Sequence, residues 1–196
     1  MIYLARHGQT EWNAEGKMQG SFNDSPLTDL GLSQANEVGA ELAILTKGRK
    51  LTAFVSPMER ARRSYELIRN HLKNIEAMYY RSDLVERNLG EWEGKQVGFM
   101  DQELNDRYEA NKFTFAECGV EPYAKMWARL EWFSRGLEPD KDYLIVSHRS
   151  AIGILTGILQ HVEWDQGHYP ANNEIVIFDP KINALDIISV GNRPFK

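Results

Sequence analysis

The segment MIYLARHGQTEWN, residues 1–13, decides the fold class into which the rest of this sequence must fit. Its first five residues are apolar and rich in strand formers, so they predict a β-strand that ends where Arg6 and His7 stand. Ligands of open α/β sheets bind at the carboxyl ends of the strands. A permanent cation beside an imidazole at that edge suits an anionic substrate that a histidine attacks.

Strands and helices alternate along the rest of the chain. Apolar runs predict strands at 51–55, 75–80, 143–147, 173–179 and 184–189. Periodicity predicts helices at 29–47, after Ser56-Pro57, at 120–136 and at 150–160. This order predicts an α/β fold, a three-layer α/β/α sandwich around a mostly parallel sheet with right-handed crossovers. Residues 8–28 and 88–119 carry many breakers, and we expect about 88–122 to form a small lid or substrate sub-lobe inserted after the third strand.

Two of the predicted helices carry an apolar stripe that should face the core. In the first of them the stripe consists of Leu32, Ala35, Val38, Leu42 and Leu45. In the helix after Pro57 it consists of Met58, Ala61, Tyr65, Ile68 and Leu72.

Composition and charge limit the classes to which the protein can belong. The 196 residues are 42% hydrophobic and 26% charged with a net charge of −5, which fits one domain and argues against a nucleic-acid partner. No apolar stretch approaches the roughly 18 residues that cross a bilayer, and the first apolar run is too short for a signal peptide. The single cysteine, Cys118, allows no disulfide within the chain. We therefore expect a cytoplasmic protein without a membrane partner, and no feature indicates an oligomeric state.

Two more predicted strands are followed by cations. Arg60 falls in the first turn of the helix after Val55, and His148 and Arg149 follow Val146 where another helix opens. Helix N-termini attract anions through free N–H groups and the macrodipole. Taken singly such residues are usually solvated or structural, but their shared place predicts one anion pocket from Arg6, His7, Arg60, His148 and Arg149. The other histidines are His71, His161 and His168, and none has a partner at a metal-ligand spacing. We therefore predict neither a metal nor a cofactor.

A set of segments occurs in one order through most of the chain. It comprises RHGQTEWN at 6–13, QG at 19–20, PLT at 26–28, SP at 56–57 with RARR at 60–63, ERNLGEWEG at 86–94 and SH at 147–148. This ordered set resembles the histidine phosphatase superfamily, also described as phosphoglycerate mutase-like, and residues 86–94 resemble its phosphatase branch. The resemblance implies a single histidine phosphatase domain over residues 1–196.

The resemblance also implies that His7 is a nucleophile that forms a phosphohistidine. A histidine with an ordinary pKa of about 6.5 is appreciably neutral at cellular pH, and neighbouring cations disfavour the imidazolium. Its second nitrogen needs an acceptor, for which we expect a backbone carbonyl. Arginines supply forked donors that match a phosphate, so no divalent metal is required. Phosphate contacts are implied for Arg6, Arg60, His148 and Asn13, and further substrate contacts for Gln19 and Gly20.

By the same resemblance, Glu86 protonates the leaving alkoxide and then activates water. A nearby phosphate and partial burial would raise its pKa toward the working pH. Glu91 and Glu93 are close enough in sequence to be rivals for this role, and Asp83 is a further alternative. Glu86, Glu91 and Glu93 could equally be solvated loop acids.

Two places depart from the family pattern. Members commonly have glycine where this chain has Arg149, whose guanidinium either grips a second anionic group of the substrate or points away along its helix. The usual segment before the late helix is replaced by ECGVE at 117–121. The aromatic residues nearby are Trp92, Tyr108, Phe113 and Phe115. We expect most of them to pack in the core, and the alternative is that they line the substrate site.

Three functions from different classes fit these residues. We expect a phosphomonoesterase that hydrolyses a small phosphorylated metabolite, because a short lid admits water. The alternative is a 2,3-bisphosphoglycerate-dependent phosphoglycerate mutase, although such mutases are typically longer. A third reading is a non-catalytic phosphate-binding protein, which the presence of nucleophile, acid and clamp disfavours.

Overall fold

The computed structural model describes residues 1–191. In that range six strands form one sheet: β1 (Ile2–Arg6), β2 (Leu51–Val55), β3 (Ile75–Tyr80), β4 (Asp142–Ser147), β5 (Glu174–Asp179) and β6 (Ala184–Ser189). The α-helices of the same range are α1 (Glu11–Ala14), α2 (Asp29–Leu45), α3 (Glu59–Arg69), α4 (Gln102–Ala110), α5 (Tyr123–Ser134) and α6 (Arg149–Gln160). All strands and helices predicted from the sequence are therefore present, with small shifts at their ends.

The sheet has the order β3-β2-β4-β1-β5-β6. The first four strands in this order run parallel, β5 is antiparallel to β1, and β6 is antiparallel to β5. The register aligns Arg6 with Ser147 and Val55 with Val146. Three neighbouring strands, β2, β4 and β1, consequently end side by side at one edge, which confirms a mostly parallel sheet.

Helices cover both faces of the sheet. Tyr3 and Ala5 face a cluster with side chains of α2 and α3, whereas Ile2 and Leu4 face a cluster with side chains of α5 and α6. This alternation follows from the two-residue period of a strand and confirms the three-layer α/β/α arrangement. The most deeply buried helix, α6, has 12 residues, and no helix within residues 1–191 is long and apolar enough to span a membrane.

The predicted apolar stripe of α3 is buried along its whole length. In α2, Ala35, Val38 and Leu42 are buried, but Leu32 and Leu45 are only half-buried. The face of α2 is instead completed by Gly39, where an added Cβ would lie 2.9 Å from Cα of Ile68 on α3. Because α2 and α3 approach closely at Gly39, the buried face of α2 differs from the face that the apolar periodicity predicts.

Two segments without predicted elements contain short helices. Residues 8–28 include the single turn α1, which a capping box between Thr10 and Asn13 stabilises. Residues 88–119 include α4, whose only buried side chain is Tyr108, so no apolar stripe marks it in the sequence. Short polar helices of this kind are defined by their capping residues, and no apolar periodicity predicts them.

Residues 88–122 lie between β3 and α5, as expected for an insertion after the third strand. They have a small apolar cluster of their own, in which Trp92, Tyr108, Phe115 and Val120 are buried. Phe113 differs, because it is 39% exposed and its ring centroid lies 5.9 Å from that of Trp164. Three of the four aromatic residues singled out in the sequence therefore pack in the core of this sub-lobe.

Candidate active site

The residues that follow β1, β2 and β4 meet at the edge of the sheet. The backbone N–H of His7 donates to the Ser147 carbonyl across 3.0 Å, and that of Ser56 donates to the Val146 carbonyl across 2.9 Å. The rings of His7 and His148 have centroids 5.2 Å apart, and His148 Nε2 lies 2.7 Å from the Ser56 hydroxyl. The register of the sheet thus brings together groups that are far apart in the sequence.

His7 is 3% exposed and held in one orientation. Its Nδ1 lies 2.8 Å from the Gly8 carbonyl, so Nδ1 carries the proton and donates to that oxygen. A backbone carbonyl is the acceptor expected from the sequence. The lone pair is therefore on Nε2, which accepts a hydrogen bond from Arg60 Nε across 3.3 Å.

Burial and charge keep this imidazole neutral. Burial, followed by the positive charges of Arg60 and Arg6, holds the pKa of His7 well below its ordinary value, against a smaller opposing effect of the Gly8 hydrogen bond. The pKa of His148 is also well below the ordinary value, because this ring is buried and faces Arg60, His7 and Arg6. Both histidines are consequently neutral at pH 7, and His7 Nε2 is available as a nucleophile.

Arg60 is 1% exposed although it lies in the first turn of α3. Besides His7 Nε2, its guanidinium donates to Asp24 Oδ1 at 2.8 Å and to the Gly20 carbonyl at 2.8 Å. The other oxygen of Asp24 accepts from the Glu59 N–H at 2.6 Å, at the start of α3. Asp24 is therefore a site residue that sequence reasoning missed, because an acid among turn residues carries no distinguishing signal.

Several residues of the predicted site have buried polar atoms without a partner. Six buried side-chain nitrogen or oxygen atoms within residues 1–191 have no hydrogen-bond partner. Three of them belong to residues predicted to bind phosphate or another part of the substrate: Arg6 Nε, Gln19 Nε2 and His148 Nδ1. A buried donor without a partner is costly, so this concentration indicates a place for an anionic ligand.

Arg6 ends β1 next to this group. Its NH1 donates to the Pro170 carbonyl at 3.3 Å. Burial lowers the pKa of Arg6 to about 10; the charge of Glu86 acts in the opposite direction, and those of Arg149 and Arg60 act with burial. At that value Arg6 still carries its charge at pH 7, so the edge of the sheet presents a fixed cation beside His7.

Glu86 is the predicted acid that lies beside these cations. It is 7% exposed, and its two carboxylate oxygens accept from the N–H groups of Arg87 (2.8 Å) and Ser150 (3.1 Å). The second of these contacts places the carboxylate at the N-terminus of α6, directly after His148. The carboxylate therefore lies close enough to Arg6 for its charge to raise the pKa of that arginine.

The rival acids have other surroundings. Glu93 accepts from the N–H groups of residues 22 and 23 at 3.1 and 2.7 Å and from that of Leu89 at 3.3 Å. Asp83 forms an ion pair with Arg81 at 2.7 Å, and Glu91 is exposed. Glu93 therefore supports the loop that binds Arg60.

Two of the remaining predicted contact residues, Asn13 and Gln19, use their side-chain oxygens within the protein. Asn13 uses its side-chain oxygen to accept from the Thr10 N–H at 3.3 Å, which leaves its NH₂ group as the donor for a ligand. Gln19 accepts from the Thr10 hydroxyl at 2.8 Å and keeps its NH₂ unpartnered. At Gly20 an added Cβ would lie 2.8 Å from the Arg87 carbonyl, so no larger residue fits there.

Arg149, the first residue of α6, is exposed at the rim of the site. Its NH1 donates to the Tyr169 carbonyl at 2.9 Å. The side chain is therefore turned toward the segment that also binds Arg6, and does not extend away along the helix.

The chemistry of the donors suits an anion. The groups around His7 are guanidinium, imidazole and amide groups, which present N–H donors. Within residues 1–191 no group of three or more histidine, cysteine, aspartate or glutamate side chains is arranged to hold a metal ion. The arrangement can therefore bind a tetrahedral anion directly through protein donors.

Comparison with known proteins agrees with this geometry. A phosphatase of Bacillus subtilis, PhoE, described as uncharacterized, is 33% identical over 156 residues, which are 79% of this chain and 74% of that protein. A probable phosphoglycerate mutase, GpmB, of Escherichia coli O1:K1 / APEC is 32% identical over 166 residues, 81% of this chain and 74% of that protein.

The fold and the sequence pattern extend the likeness to nearly the whole chain. The structure of YhfR from Bacillus stearothermophilus superposes with a TM-score of 0.76 and 25% identity, covering 98% of this chain and 97% of that one. The pattern described as "Histidine phosphatase superfamily (branch 1)" matches residues 2–192. The protein therefore belongs to branch 1 of the histidine phosphatase superfamily.

Proposed function

We propose that the protein is a phosphomonoesterase that hydrolyses a small phosphorylated metabolite through a phosphohistidine at His7. The observation that carries the proposal is the neutral His7 imidazole. Its Nδ1 is fixed by the Gly8 carbonyl and its Nε2 lies 3.3 Å from Arg60 Nε. A buried nucleophile flanked by two guanidinium groups suits attack on a phosphate dianion.

In the first step His7 Nε2 attacks phosphorus, the P–N bond forms, and the P–O bond to the leaving group breaks. Once Nε2 bonds to phosphorus it no longer accepts from Arg60, so that N–H becomes free to bind a phosphoryl oxygen. Arg6, His148 and the amide groups of Asn13 and Gln19 supply further donors. Phosphoryl transfer depends mainly on such positioning and charge stabilisation, so the clamp supplies most of the catalysis.

Glu86 completes the cycle as acid and then as base. In the proposed reaction its protonated carboxyl group donates to the leaving alkoxide. The carboxylate then removes a proton from water, which attacks phosphorus and restores neutral His7. Its hydrogen bonds to Arg87 and Ser150 orient both oxygens for these proton transfers.

The principal alternative is phosphoglycerate mutase activity, which the likeness to GpmB favours. In a mutase the phosphohistidine must survive until it is returned to a second hydroxyl group. We favour the phosphatase because a short sub-lobe, such as the one at residues 88–122, should admit water to the intermediate. We also propose that the reaction proceeds without a metal ion or cofactor, in the cytoplasm, and without a nucleic-acid or membrane partner.

Hydrolysis of p-nitrophenyl phosphate and of a panel of phosphorylated metabolites tests the proposal. His7→Ala should lower kcat by about 10³-fold or more, whereas His71→Ala, at an exposed histidine bonded to Asn36, should leave it unchanged. A phosphorylated substrate should label the wild type at His7 in a burst. Equal rates for wild type and His7→Ala would refute the role of His7. Conversion of 3-phosphoglycerate that requires 2,3-bisphosphoglycerate and exceeds hydrolysis would establish the mutase instead.

A further inference from the structure

Arg149 and Arg6 are held by neighbouring carbonyl groups. Arg149 NH1 donates to the Tyr169 oxygen at 2.9 Å, and Arg6 NH1 donates to the Pro170 oxygen at 3.3 Å. Consecutive Cα atoms are about 3.8 Å apart, so one short segment anchors both guanidinium groups on the same side of the site. The remaining nitrogen atoms of each fork are left to bind something else, and Arg6 Nε is buried without a partner.

Neither arginine has an acidic partner at salt-bridge distance among residues 1–191, although most of the other arginines described there do. Their charges face each other closely enough for Arg149 to lower the pKa of Arg6. The acids that Arg6 senses are Glu86 and Glu174. Both carboxylates accept hydrogen bonds from other groups: Glu86 from Arg87 and Ser150, and Glu174 from Ala171 and His168. Glu86 and Glu174 thus offset part of the charge of Arg6, but neither arginine forms an ion pair with them.

The position of Arg149 is also unfavourable for helix formation. It is the first residue of α6, where the helix dipole disfavours a cation. The side chain packs beside Tyr169, with the guanidinium carbon 5.9 Å from the ring centroid. That ring is fixed by Gly153 one turn further along α6, where an added Cβ would lie 2.6 Å from Cγ of Tyr169. A charge that opposes the helix and yet is held in place suggests a role in binding.

We propose that Arg149, held beside the phosphate-binding Arg6, receives a second anionic group of the substrate, a carboxylate or another phosphate, carried a few bonds from the ester phosphate. This proposal rests on the proposed phosphatase function and specifies its substrate class. The ester phosphate lies on His7, and the leaving oxygen faces Glu86. Because Glu86 bonds to the N–H of Ser150, next to Arg149, the group beyond the leaving oxygen comes close to the Arg149 guanidinium. An uncharged group at that point would leave the charge of Arg149 without an anionic partner.

A matched set of esters tests the proposal. Phosphoglycolate carries a carboxylate where 2-hydroxyethyl phosphate carries a hydroxymethyl group, and 1,2-ethanediol bisphosphate carries a second phosphate. For the wild type we expect kcat/KM to favour a doubly anionic ester over the hydroxyethyl ester by about ten-fold or more. Comparison of phosphoglycolate with the bisphosphate shows which anion is preferred.

Substitutions at Arg149 then distinguish direct binding of the second anion by its guanidinium from non-specific electrostatic attraction. Arg149→Gln should remove most of the preference, and Arg149→Lys should retain only part of it because lysine lacks the fork. Arg135→Gln, at an exposed arginine paired with Glu131 on α5, is the matched control and should leave the preference unchanged. Arg149→Gln should unfold at the same temperature as the wild type or higher, because it removes a cation from the first turn of α6.

Two results would overturn the proposal: a wild type without preference, or an Arg149→Gln variant that keeps it. A merely structural Arg149 predicts a lower unfolding temperature with all esters affected alike, which also contradicts the proposal. If no ester is hydrolysed, the phosphatase function fails separately. Calorimetric binding of phosphoglycolate and hydroxyethyl phosphate to His7→Ala, with and without Arg149→Gln, then decides the anion preference without turnover.

Discussion

Arg60 donates a hydrogen bond from Nε to His7 Nε2 across 3.3 Å and so connects its guanidinium group directly to the proposed nucleophilic atom. The other two nitrogens of Arg60 are bound by Asp24 and by the Gly20 carbonyl. The fork is thus oriented by the protein itself. In the proposed reaction it needs little reorganisation as charge develops on the phosphoryl oxygens.

Arg60→Lys tests this preorganisation. Lysine keeps the charge but cannot contact His7, Asp24 and Gly20 together, so we expect kcat/KM to fall by about 10²-fold or more. Arg62→Lys, at an exposed arginine two residues away, is the control and should retain wild-type activity. The measurement is steady-state hydrolysis of p-nitrophenyl phosphate. A similar rate for both variants would show that charge alone suffices at position 60.

Glu86→Gln separates proton donation from phosphate binding. The proposed acid is needed most when the leaving group is a strong base, so the variant should slow hydrolysis of an alkyl phosphate far more than that of p-nitrophenyl phosphate. We expect a loss of about 10²-fold or more for the alkyl ester. Glu91→Gln, at an exposed acid, serves as the control. Uniform slowing of both esters would point to a different acid.

Glu93 should behave differently, because it holds the loop that carries the Gly20 and Asp24 contacts. Its carboxylate binds the N–H groups of residues 22 and 23. Glu93→Ala should loosen this loop and lower kcat/KM by about ten-fold through misplacement of Arg60, equally for good and poor leaving groups. Rates for the same two esters provide the measurement. A loss confined to poor leaving groups would instead make Glu93 the acid.

The sequence predicted the part of the site that depends on strand ends. His7, Arg60 and His148 each follow a strand that apolar runs reveal, and parallel neighbours must end at one edge. The order of the strands could not be derived, because it depends on β4 inserting between β2 and β1. Asp24 and Ser56 were missed for a related reason: a turn acid and a serine acquire their roles only when Arg60 and His148 are folded against them.

The same limit applies to Arg149. Its position after the second histidine is visible in the sequence, but the direction of its side chain depends on the Tyr169 carbonyl, 20 residues away in the chain. Likewise, α4 is invisible to periodicity because its core contact is a single residue, Tyr108. Contacts that join distant loops, and helices that bury one side chain, leave no local pattern.

The two buried histidines make the stability of the protein depend on pH. Their pKa values are well below about 6.5 in the folded state, so the unfolded chain binds more protons than the folded one as the pH falls below that value. The contribution of these histidines to the free energy of unfolding should therefore be fully present above about pH 6.5. At lower pH the free energy of unfolding should decrease by up to about 1.4 kcal/mol per pH unit for each histidine. Urea unfolding of the wild type and His148→Gln at pH 7.5, 6.5 and 5.5 measures this. The variant should show a smaller decrease between pH 6.5 and 5.5, since it lacks one of the two groups. If the unfolding free energy fell equally with pH in both proteins, His148 would bind a proton as readily in the folded state as in the unfolded state. That result would contradict a neutral His148 at the edge of the sheet.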